Sequence, residues 1–294
     1  MRVLITGGGG FLAGHLSAQL QATPGIEVRT LSRAECDLSR DKGRLSSALR
    51  SFQPDRIFHL AGRINGSESE LFYDNQVATG NLLQAAWRLL PAARIVLGST
   101  AAVYGRGGTA AAPLSEDQAP TPGGDYARSK YAAEQDAAVY AREGVWLVTA
   151  RMSNPIGASM STALLCGTLA RQIVEIEHGK EPILTLRDLT SKRDFISARD
   201  CVRALWHLAE FGTPGTAYNV AAGDSIALTD IVKLYLDLAR VRPIEVESRP
   251  ADDERSSLRE QWLSNARLRV LGWKAEETLR QAISGQLDAE RKRA

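Results

Sequence analysis

The chain has 294 residues, of which 44% are hydrophobic and 24% are charged, and its formal net charge at pH 7 is +2. This composition excludes a wholly disordered chain, and the length is sufficient for one large α/β unit that carries a smaller second lobe. The small net charge, without a block of like charges, predicts no nucleic-acid partner and no contact with an anionic membrane.

Short apolar runs alternate with helical patterns through the first half of the chain. Apolar, β-branched runs that are separated by helices are typical of a parallel sheet covered on both faces. Residues 105–124 are rich in Gly, Ala and Pro and are predicted to form a loop. Strands are predicted at residues 2–5, 27–31, 56–60, 94–97 and 146–150, and helices at residues 11–20, 45–52, 75–90 and 126–142.

The pattern changes after Pro155, where shorter segments follow one another. We predict an α/β fold with a doubly wound parallel sheet in a first domain, residues 1–154, and a smaller α/β substrate lobe, residues 155–294. Segments near residues 198–220 are predicted to pack back on the first domain. Helices are predicted at residues 161–177, 198–210, 228–239 and twice near the C-terminus, and short strands near residues 194–196, 218–220 and 244–247.

Cysteine and histidine usage excludes two kinds of site. Three cysteines stand far apart, and four scattered histidines show no metal-ligand spacing. This usage is typical of a reducing compartment, and it predicts neither a disulfide scaffold nor a metal site. The first residues run directly into a strand, and no apolar run long enough to span a membrane occurs. We therefore expect a soluble cytoplasmic protein.

A glycine-rich loop, residues 6–13 (TGGGGFLA), lies between the first predicted strand and helix. Gly7 allows a tight turn, Gly10 lets the backbone approach a pyrophosphate, and the helix start at Phe11 and Leu12 offers free N–H groups to phosphate. The spacing differs from G-x-G-x-x-G, so a purely structural turn is the alternative. The loop, between a strand and a helix, indicates a Rossmann-type domain that binds a dinucleotide.

The residues after the second strand bear on the choice between NAD and NADP. NAD-selective folds place Asp or Glu there, whereas Ser32 and Arg33 supply a hydroxyl and a guanidinium that suit a 2′-phosphate. NADPH is therefore preferred, and NAD remains possible because Glu35 can pair with the ribose. Asp37 and Leu38 are predicted to lie at the adenine, with a helix cap as the alternative for Asp37.

Residues 126–130 read YARSK at the start of a predicted helix. Tyr126 and Lys130 share one helix face at this spacing, and a nearby ammonium favours the ionised phenol. Thr100 follows a predicted strand, which places its hydroxyl at the C-terminal edge of the sheet. YxxxK alone is a weak signal, but a glycine loop, a strand-end hydroxyl and YxxxK in this order are a strong one, and they predict that Tyr126 exchanges protons near neutral pH.

With these motifs the chain resembles the extended short-chain dehydrogenase/reductase superfamily, in its nucleotide-sugar branch. The resemblance covers nearly the whole chain, with the motifs in family order. Besides the glycine loop and YARSK it rests on HLAG at 59–62, Asn75, STAAVYG at 99–105, RMSNPIG at 151–157, RDFI at 193–196, YNV at 218–220 and LGW at 271–273.

The resemblance implies roles position by position. Thr100 bonds the reacting oxygen, Tyr126 is the catalytic acid/base, and Lys130 holds the nicotinamide ribose and lowers the tyrosine pKa. A homodimer through the helices that contain Asn75 and Tyr126 is implied by the resemblance alone. A surface role is the alternative for Arg255, which stands in a charged loop. The remaining implied positions are Leu60, Ala61, Gly62 and Asn75 at the cofactor, and Thr100, Asn154, Arg193 and Arg255 at the substrate.

The family includes 4-epimerases, 4,6-dehydratases and 4-ketoreductases. Dehydratases carry Asp-Glu after the threonine, where this chain has Ala101 and Ala102, which cannot transfer a proton. Arg33 favours exchangeable NADPH, and residues 170–182 and 191–195 resemble GDP-6-deoxy-4-keto-mannose reductases. We therefore expect an NADPH-dependent reductase of a nucleotide-diphospho-4-keto-6-deoxyhexose, in deoxysugar biosynthesis. An NAD-dependent 4-epimerase and a non-catalytic NADP-binding sensor are the alternatives.

Overall fold

The structure is a computed structural model that describes residues 1–105, 112–187, 189–249 and 260–294. Strands and helices alternate through the first half of the chain, as the apolar runs predict. They are β1 (Arg2–Thr6), α1 (Phe11–Gln21), β2 (Glu27–Leu31), α2 (Lys42–Phe52), β3 (Arg56–His59), α3 (Glu68–Phe72), α4 (Ala78–Leu89), β4 (Arg94–Thr100), α5 (Asp125–Arg142) and β5 (Leu147–Met152).

The second half contains shorter strands between its helices. They are β6 (Asn154–Ile156), α6 (Leu165–Glu177), β7 (Ile183–Arg187), β8 (Lys192–Arg193), β9 (Phe195–Ser197), α7 (Ala198–Phe211), β10 (Ala217–Val220), β11 (Ile226–Ala227), α8 (Leu228–Leu238), β12 (Glu245–Arg249), β13 (Glu260–Gln261), α9 (Ala266–Val270) and α10 (Leu279–Arg291). No helix in the described ranges is long and apolar enough to cross a membrane.

The central sheet has six parallel strands in the order β10-β5-β4-β3-β1-β2. The last residue of β1, Thr6, pairs with Leu31 on one side and with His59 on the other. The connections therefore diverge at β1, and the C-terminal ends of three strands meet there. In open α/β sheets this switch point is where ligands bind.

Both faces of the sheet are buried, which explains why its strands are continuous apolar runs. Along β1, Val3 and Ile5 pack on the face covered by α1 and α7, whereas Leu4 packs on the face covered by α2, α4 and α5. The same alternation places Val96 of β4 on the first face and Ile95 on the second. This is the doubly wound, Rossmann-type architecture that the sequence predicts.

The sheet is completed by residues that come late in the chain. After β5 the chain enters the smaller lobe, then returns through α7, whose buried residues Cys201, Leu205 and Leu208 pack with Val96 and Val148 of the sheet. β10 then pairs with β5 as the sixth strand. The segments near residues 198–220 therefore lie with the central sheet.

The smaller lobe is built around a second apolar core. α6, α8 and α10 contribute Ile173, Tyr235 and Ile283 to it, and all three side chains are fully buried. Two pairs of short strands, β6 with β9 and β7 with β12, form separate two-stranded sheets, and side chains such as Ile156 and Leu184 pack from them into this core.

Three predicted helices differ from the structure at their N-terminal ends. The helix predicted from residue 45 begins at Lys42. The helix predicted at residues 75–90 is a π-helical turn, Tyr73–Val77, followed by α4. The helix predicted from residue 161 begins at Leu165, because the preceding segment folds over Gly167. A Cβ atom at Gly167 would lie 2.1 Å from the carbonyl oxygen of Ser161, so this packing requires glycine.

Candidate active site

The glycine loop turns tightly at the end of β1. Gly7 has a φ of +77°, and the N–H groups of Gly7 and Gly8 donate to the Leu31 carbonyl at 3.0 and 3.1 Å. A Cβ atom at Gly7 would lie 2.7 Å from the amide nitrogen of Ala61. Gly7 is therefore required both by its backbone conformation and by the close approach of the segment that follows β3.

Helix α1 begins directly after this loop and has no side-chain cap at Gly10. The first N–H groups of a helix have no partner within the helix, so those of Phe11 and Leu12 are available to an anion. Nothing lies within 4 Å of the position that a Cβ atom would take at Gly9. Loop and helix start together form a cradle that suits a phosphate group.

A cavity of about 240 Å³ opens beside this loop, between the C-terminal ends of β1, β2 and β3. Its walls are formed by the segments that the sequence predicts to bind a dinucleotide. The predicted cofactor residues that line it are Gly7, Gly10, Ser32, Arg33, Asp37, Leu38, Leu60, Ala61 and Gly62.

Ser32 and Glu35 bond each other at one end of the cavity. The Glu35 carboxylate accepts from the Ser32 amide at 2.8 Å and from its hydroxyl at 2.6 Å. These two hydrogen bonds hold the pKa of Glu35 below its usual value. The carboxylate that the sequence left open as a ribose partner is thus engaged within its own turn.

Arg33 is paired with two carboxylates. Its Nη1 donates to Asp74 Oδ2 at 2.6 Å, and its Nη2 donates to Asp74 Oδ1 at 2.9 Å and to Asp37 Oδ2 at 3.2 Å. Asp74 also accepts from Arg63 Nε at 2.5 Å. Sequence reasoning missed Asp74 and Arg63, because neither belongs to a motif and Asp74 is 41 residues from Arg33.

Asn75 holds the backbone after β3 in place. Its Oδ1 accepts from the Arg63 amide at 2.7 Å, while its Nδ2 donates to the Arg63 carbonyl at 2.9 Å and to Ser129 Oγ at 2.8 Å. A Cβ atom at Gly62 would lie 2.8 Å from Asn75 Oδ1 and 3.7 Å from Lys130 Nζ. The π-helical turn, a feature found frequently at functional sites, thus brings Asp74 and Asn75 to this edge.

Thr100, Tyr126 and Lys130 meet at the end of β4. Thr100 is the last residue of β4, and its side chain lies near enough to the Tyr126 phenol to lower the pKa of that phenol. Tyr126 and Lys130 lie on the first turns of α5, and Lys130 Nζ donates to the Gly98 carbonyl at 2.6 Å. The structure thus brings together the three residues that the sequence predicts as catalytic.

Burial controls the acidity of this pair. It raises the pKa of Tyr126, and the Thr100 side chain opposes that rise. The sequence-based expectation of a lowered tyrosine pKa is therefore not met in this structure, where Lys130 donates to Gly98 instead. Burial lowers the pKa of Lys130 to about 8, although the negative charge of Glu134 opposes the change.

A buried polar network lies behind these residues. The Glu134 carboxylate accepts from Arg151 Nη2 at 2.7 Å and from Ser99 Oγ at 2.5 Å. Arg151 Nη1 donates to the Tyr104 hydroxyl at 3.1 Å. The same hydroxyl donates to Asn219 Oδ1 at 2.8 Å. Sequence reasoning missed the network, although the four-residue step from Lys130 to Glu134 was a signal that it lies on the same face of α5.

The predicted substrate residues lie beyond the catalytic group. Asn154 Nδ2 donates to the Asp194 carbonyl at 2.7 Å, which ties β6 to β9. Arg193, on β8, donates to the Lys192 carbonyl at 2.7 Å. Gln261 of β13 reaches back to the Ala101 carbonyl at 3.3 Å and thus lies near Thr100. Arg255 is outside the described residues.

Comparison with known proteins places the chain among nucleotide-sugar enzymes. The model of the NAD dependent epimerase/dehydratase family matches residues 3–221. GDP-6-deoxy-D-mannose reductase of Pseudomonas aeruginosa is 32% identical, over 96% of this chain and 94% of that protein. The dTDP-6-deoxy-L-talose 4-dehydrogenase (NAD(P)(+)) of Kitasatospora kifunensis is 30% identical, over 96% of this chain and 93% of that protein.

The similarity extends to the three-dimensional structure. RMD from Pseudomonas aeruginosa, solved in complex with NADPH, superposes with a TM-score of 0.89 at 29% identity, covering 100% of this chain and 99% of that chain. Fold and sequence comparisons therefore agree over nearly the whole length of the chain.

Proposed function

The chain belongs to the NAD dependent epimerase/dehydratase family and is an enzyme of the extended short-chain dehydrogenase/reductase type, and on that basis we propose that it is an NADPH-dependent reductase of a nucleotide-diphospho-4-keto-6-deoxyhexose. The observation that carries the proposal is that Tyr126 lies beside Thr100, and that Thr100 is followed by Ala101 and Ala102. Tyr126 can donate a proton to a carbonyl oxygen at this site, and the two alanines after Thr100 add no further acid/base group. The similarity to a GDP-6-deoxy-D-mannose reductase supports the same reaction.

The proposed chemistry assigns one task to each residue. NADPH, when bound, supplies a hydride to C4 of the keto sugar. Tyr126 gives its phenolic proton to the carbonyl oxygen, and the Thr100 hydroxyl stabilises the charge that develops on that oxygen. Lys130 binds the nicotinamide ribose and keeps a positive charge beside the reacting groups. Asn154 and Arg193 are proposed to bind the substrate.

The proposed cofactor contacts follow the cavity. The pyrophosphate lies against the glycine loop and the start of α1, where the N–H groups of Phe11 and Leu12 are uncapped. Adenine lies at Asp37 and Leu38, and Arg33 is closest to the 2′-phosphate. The segment from Leu60 to Gly62, supported by Asn75, lines the path toward Lys130.

We also propose how the chain is organised around this reaction. Residues 1–154 form the cofactor domain and residues 155–294 the substrate lobe, with residues 198–220 packed against the first. Two copies associate through α4 and α5. These two helices expose the large apolar side chains of Trp87 and Val139, and the π-helical turn before α4 exposes those of Tyr73 and Val77.

The reaction is tested with GDP-4-keto-6-deoxymannose and NADPH, by following absorbance at 340 nm and identifying the product by NMR. We expect one NADP⁺ for each ketone reduced. In a parallel incubation with a 4-hydroxy nucleotide hexose such as UDP-glucose, formation of the 4-epimer without net oxidation or reduction of the cofactor would instead establish the epimerase. Binding of NADPH without turnover of any 4-keto nucleotide sugar would establish the sensor.

A second assay separates the reductase from a dehydratase. The enzyme is incubated with GDP-mannose, UDP-glucose or dTDP-glucose and an excess of NADP⁺ or NAD⁺, without a keto sugar. Since Ala101 and Ala102 cannot accept or donate protons, we expect no 4-keto-6-deoxy product. Formation of that product would contradict the proposed function and would require another acid/base pair in the chain.

A further inference from the structure

One carboxylate in the cavity wall holds two guanidinium groups. Asp74 accepts both of its Arg33 hydrogen bonds in a bidentate arrangement, at 2.6 and 2.9 Å, and it accepts a third from Arg63 at 2.5 Å. The side chain of Asp74 is 9% exposed, whereas that of Arg33 is 54% exposed. Arg33 is thus held from the buried side, and its outer surface faces solvent.

Asp74 is ionised when it holds these groups. Its burial favours the neutral form, but the hydrogen bonds and charges of Arg33 and Arg63 outweigh that effect and keep its pKa below the usual value. Arg33 is also paired with Asp37 at 3.2 Å. Two arginines and two aspartates therefore balance one another, and Glu70, 3.5 Å from Arg63, adds a further negative charge at the edge of the cluster.

The cluster stands where a 2′-phosphate would have to bind. Arg33, Asp37 and Asp74 all line the cavity beside the glycine loop. A phosphate dianion entering there meets a guanidinium that already donates to two carboxylates, and it is repelled by both. A ribose 2′-hydroxyl meets no such repulsion and can donate to a carboxylate.

We propose that Asp74 sets the cofactor selectivity of this enzyme, by competing with the 2′-phosphate for Arg33 and so keeping the preference for NADPH over NADH small. The inference rests on the proposed function, since it takes the cavity to hold the adenosine half of the cofactor. Asp74 acts through Arg33 and is a positioning residue, because its carboxylate keeps the guanidinium turned toward the protein.

The test uses 2′,5′-ADP and 5′-ADP as probes, because they differ only in the 2′-phosphate and require no turnover. Their dissociation constants are measured by calorimetry for the wild type and for Asp74→Asn. Releasing Arg33 to make charge-assisted bonds should tighten 2′,5′-ADP by about 5- to 20-fold. The affinity for 5′-ADP should stay within about twofold, since it lacks the group that Arg33 would bind.

If Asp74 acts through Arg33, the effect of Asp74→Asn on 2′,5′-ADP binding must depend on Arg33, whereas the effect of a general change in the fold would not. In an Arg33→Ala background, Asp74→Asn should tighten 2′,5′-ADP by less than about threefold, because the guanidinium for which Asp74 and the phosphate compete is gone and only their mutual repulsion is relieved. A charge-matched variant, Asp74→Asn with Arg63→Gln, removes the carboxylate together with its second partner. This double variant should show the same gain in affinity for 2′,5′-ADP as Asp74→Asn. It takes the place of Asp74→Asn in the test if the single variant does not fold.

The outcomes distinguish this inference from the proposed function. If 2′,5′-ADP binds Asp74→Asn no more tightly than the wild type, or more weakly, Asp74 does not compete with phosphate and the inference is wrong. Weaker binding would mean that the carboxylate instead orients Arg33 toward the phosphate. If the wild type binds neither nucleotide, the cavity is not an adenosine site, and the proposed function fails together with the inference.

Discussion

Tyr126 retains its proton at neutral pH, because burial raises the pKa of its phenol more than the Thr100 side chain lowers it. A reduction needs a proton donor at the carbonyl oxygen, so a protonated phenol is the useful state of this side chain. The same pKa would be a disadvantage for an enzyme that begins by removing a proton from an alcohol.

Replacing Tyr126 with phenylalanine should abolish most turnover and leave the fold and cofactor binding intact. The phenyl ring keeps the packing, whereas the lost general acid contributes typically about 10²–10⁴-fold to the rate. Single-turnover oxidation of NADPH measures the chemical step, and the dissociation constant of 2′,5′-ADP is the control. A rate near that of the wild type would remove Tyr126 from the mechanism.

Lys130 gives the fold a specific dependence on pH. The pKa of Lys130 is about 8 in the folded chain, whereas its ordinary value, which applies to the unfolded chain, is 10.5. As the pH rises, the folded protein therefore loses this proton before the unfolded chain does. Between these values the unfolded chain binds more protons, and stability therefore rises with pH across that window. Below about pH 8 both states are protonated and the cost of burying the ammonium is constant.

Lys130→Met removes this dependence, because methionine does not titrate. Between pH 7.5 and 9.5 the wild type should gain about 1–2 kcal/mol in its free energy of unfolding relative to the variant. Urea denaturation of both proteins at constant ionic strength gives the difference, in which other titrating groups cancel. A difference that is constant with pH would show that the ammonium retains an ordinary pKa.

Sequence reasoning located individual residues where a motif fixed both type and spacing. The YxxxK spacing on a helix brought Tyr126 and Lys130 to one cleft, because the helix geometry is local. The partners of Arg33 could not be found in this way. Asp74 reaches Arg33 only through the packing of two distant segments, and no local pattern encodes that contact.

Helix α5 carries the proposed catalytic residues Tyr126 and Lys130 and one member of a buried ion pair. Tyr126, Lys130 and Glu134 follow at four-residue steps, and Glu134 is paired with Arg151 of β5 where both side chains are under 10% exposed. Arg151 also lies over the Tyr104 ring, with 5.0 Å from its guanidinium carbon to the ring centroid. The pair fixes α5 against the sheet at the depth of the catalytic group.

Glu134→Gln should therefore destabilise the protein strongly. It leaves the Arg151 charge buried without its counter-ion, a change that typically costs about 3–5 kcal/mol. The matched control is Glu175→Gln on α6, which breaks an exposed ion pair with Arg171 and should cost less than about 1 kcal/mol. Urea denaturation measures both, and equal losses would contradict the role given to the Glu134–Arg151 pair.

The strands of the sheet were predictable because burial on both faces leaves a simple signal, a short apolar run. The π-helical turn at Tyr73–Val77 could not be predicted, because one extra residue in a helical turn barely alters the spacing of apolar residues. That small departure decides where Asp74 and Asn75 point. Local periodicity thus indicates that a helix is present more reliably than it indicates which side chains reach the site.

The association of two copies can be tested on the whole molecule. Trp87 of α4 and Tyr140 of α5 lie next to each other, with ring centroids 6.5 Å apart, and Trp87 is 44% exposed. Trp87→Asp places a charge on this apolar surface and should convert a dimer to monomers, as measured by sedimentation equilibrium. Val270→Asp, on α9, is the control, because Val270 is 86% exposed outside this surface. A wild-type protein that sediments as a monomer would contradict the proposed dimer.

The late return of the chain to its own sheet matters during synthesis on the ribosome. β5 is complete at Met152, but its outer neighbour β10 begins at Ala217, and the covering helix α7 also lies between the two. At about 5–20 residues per second, roughly 3–14 seconds separate the emergence of the two strands. During that interval the nascent chain presents an unpaired β5 edge and an uncovered apolar face, which is the kind of surface that chaperones bind and that neighbouring chains can pair with.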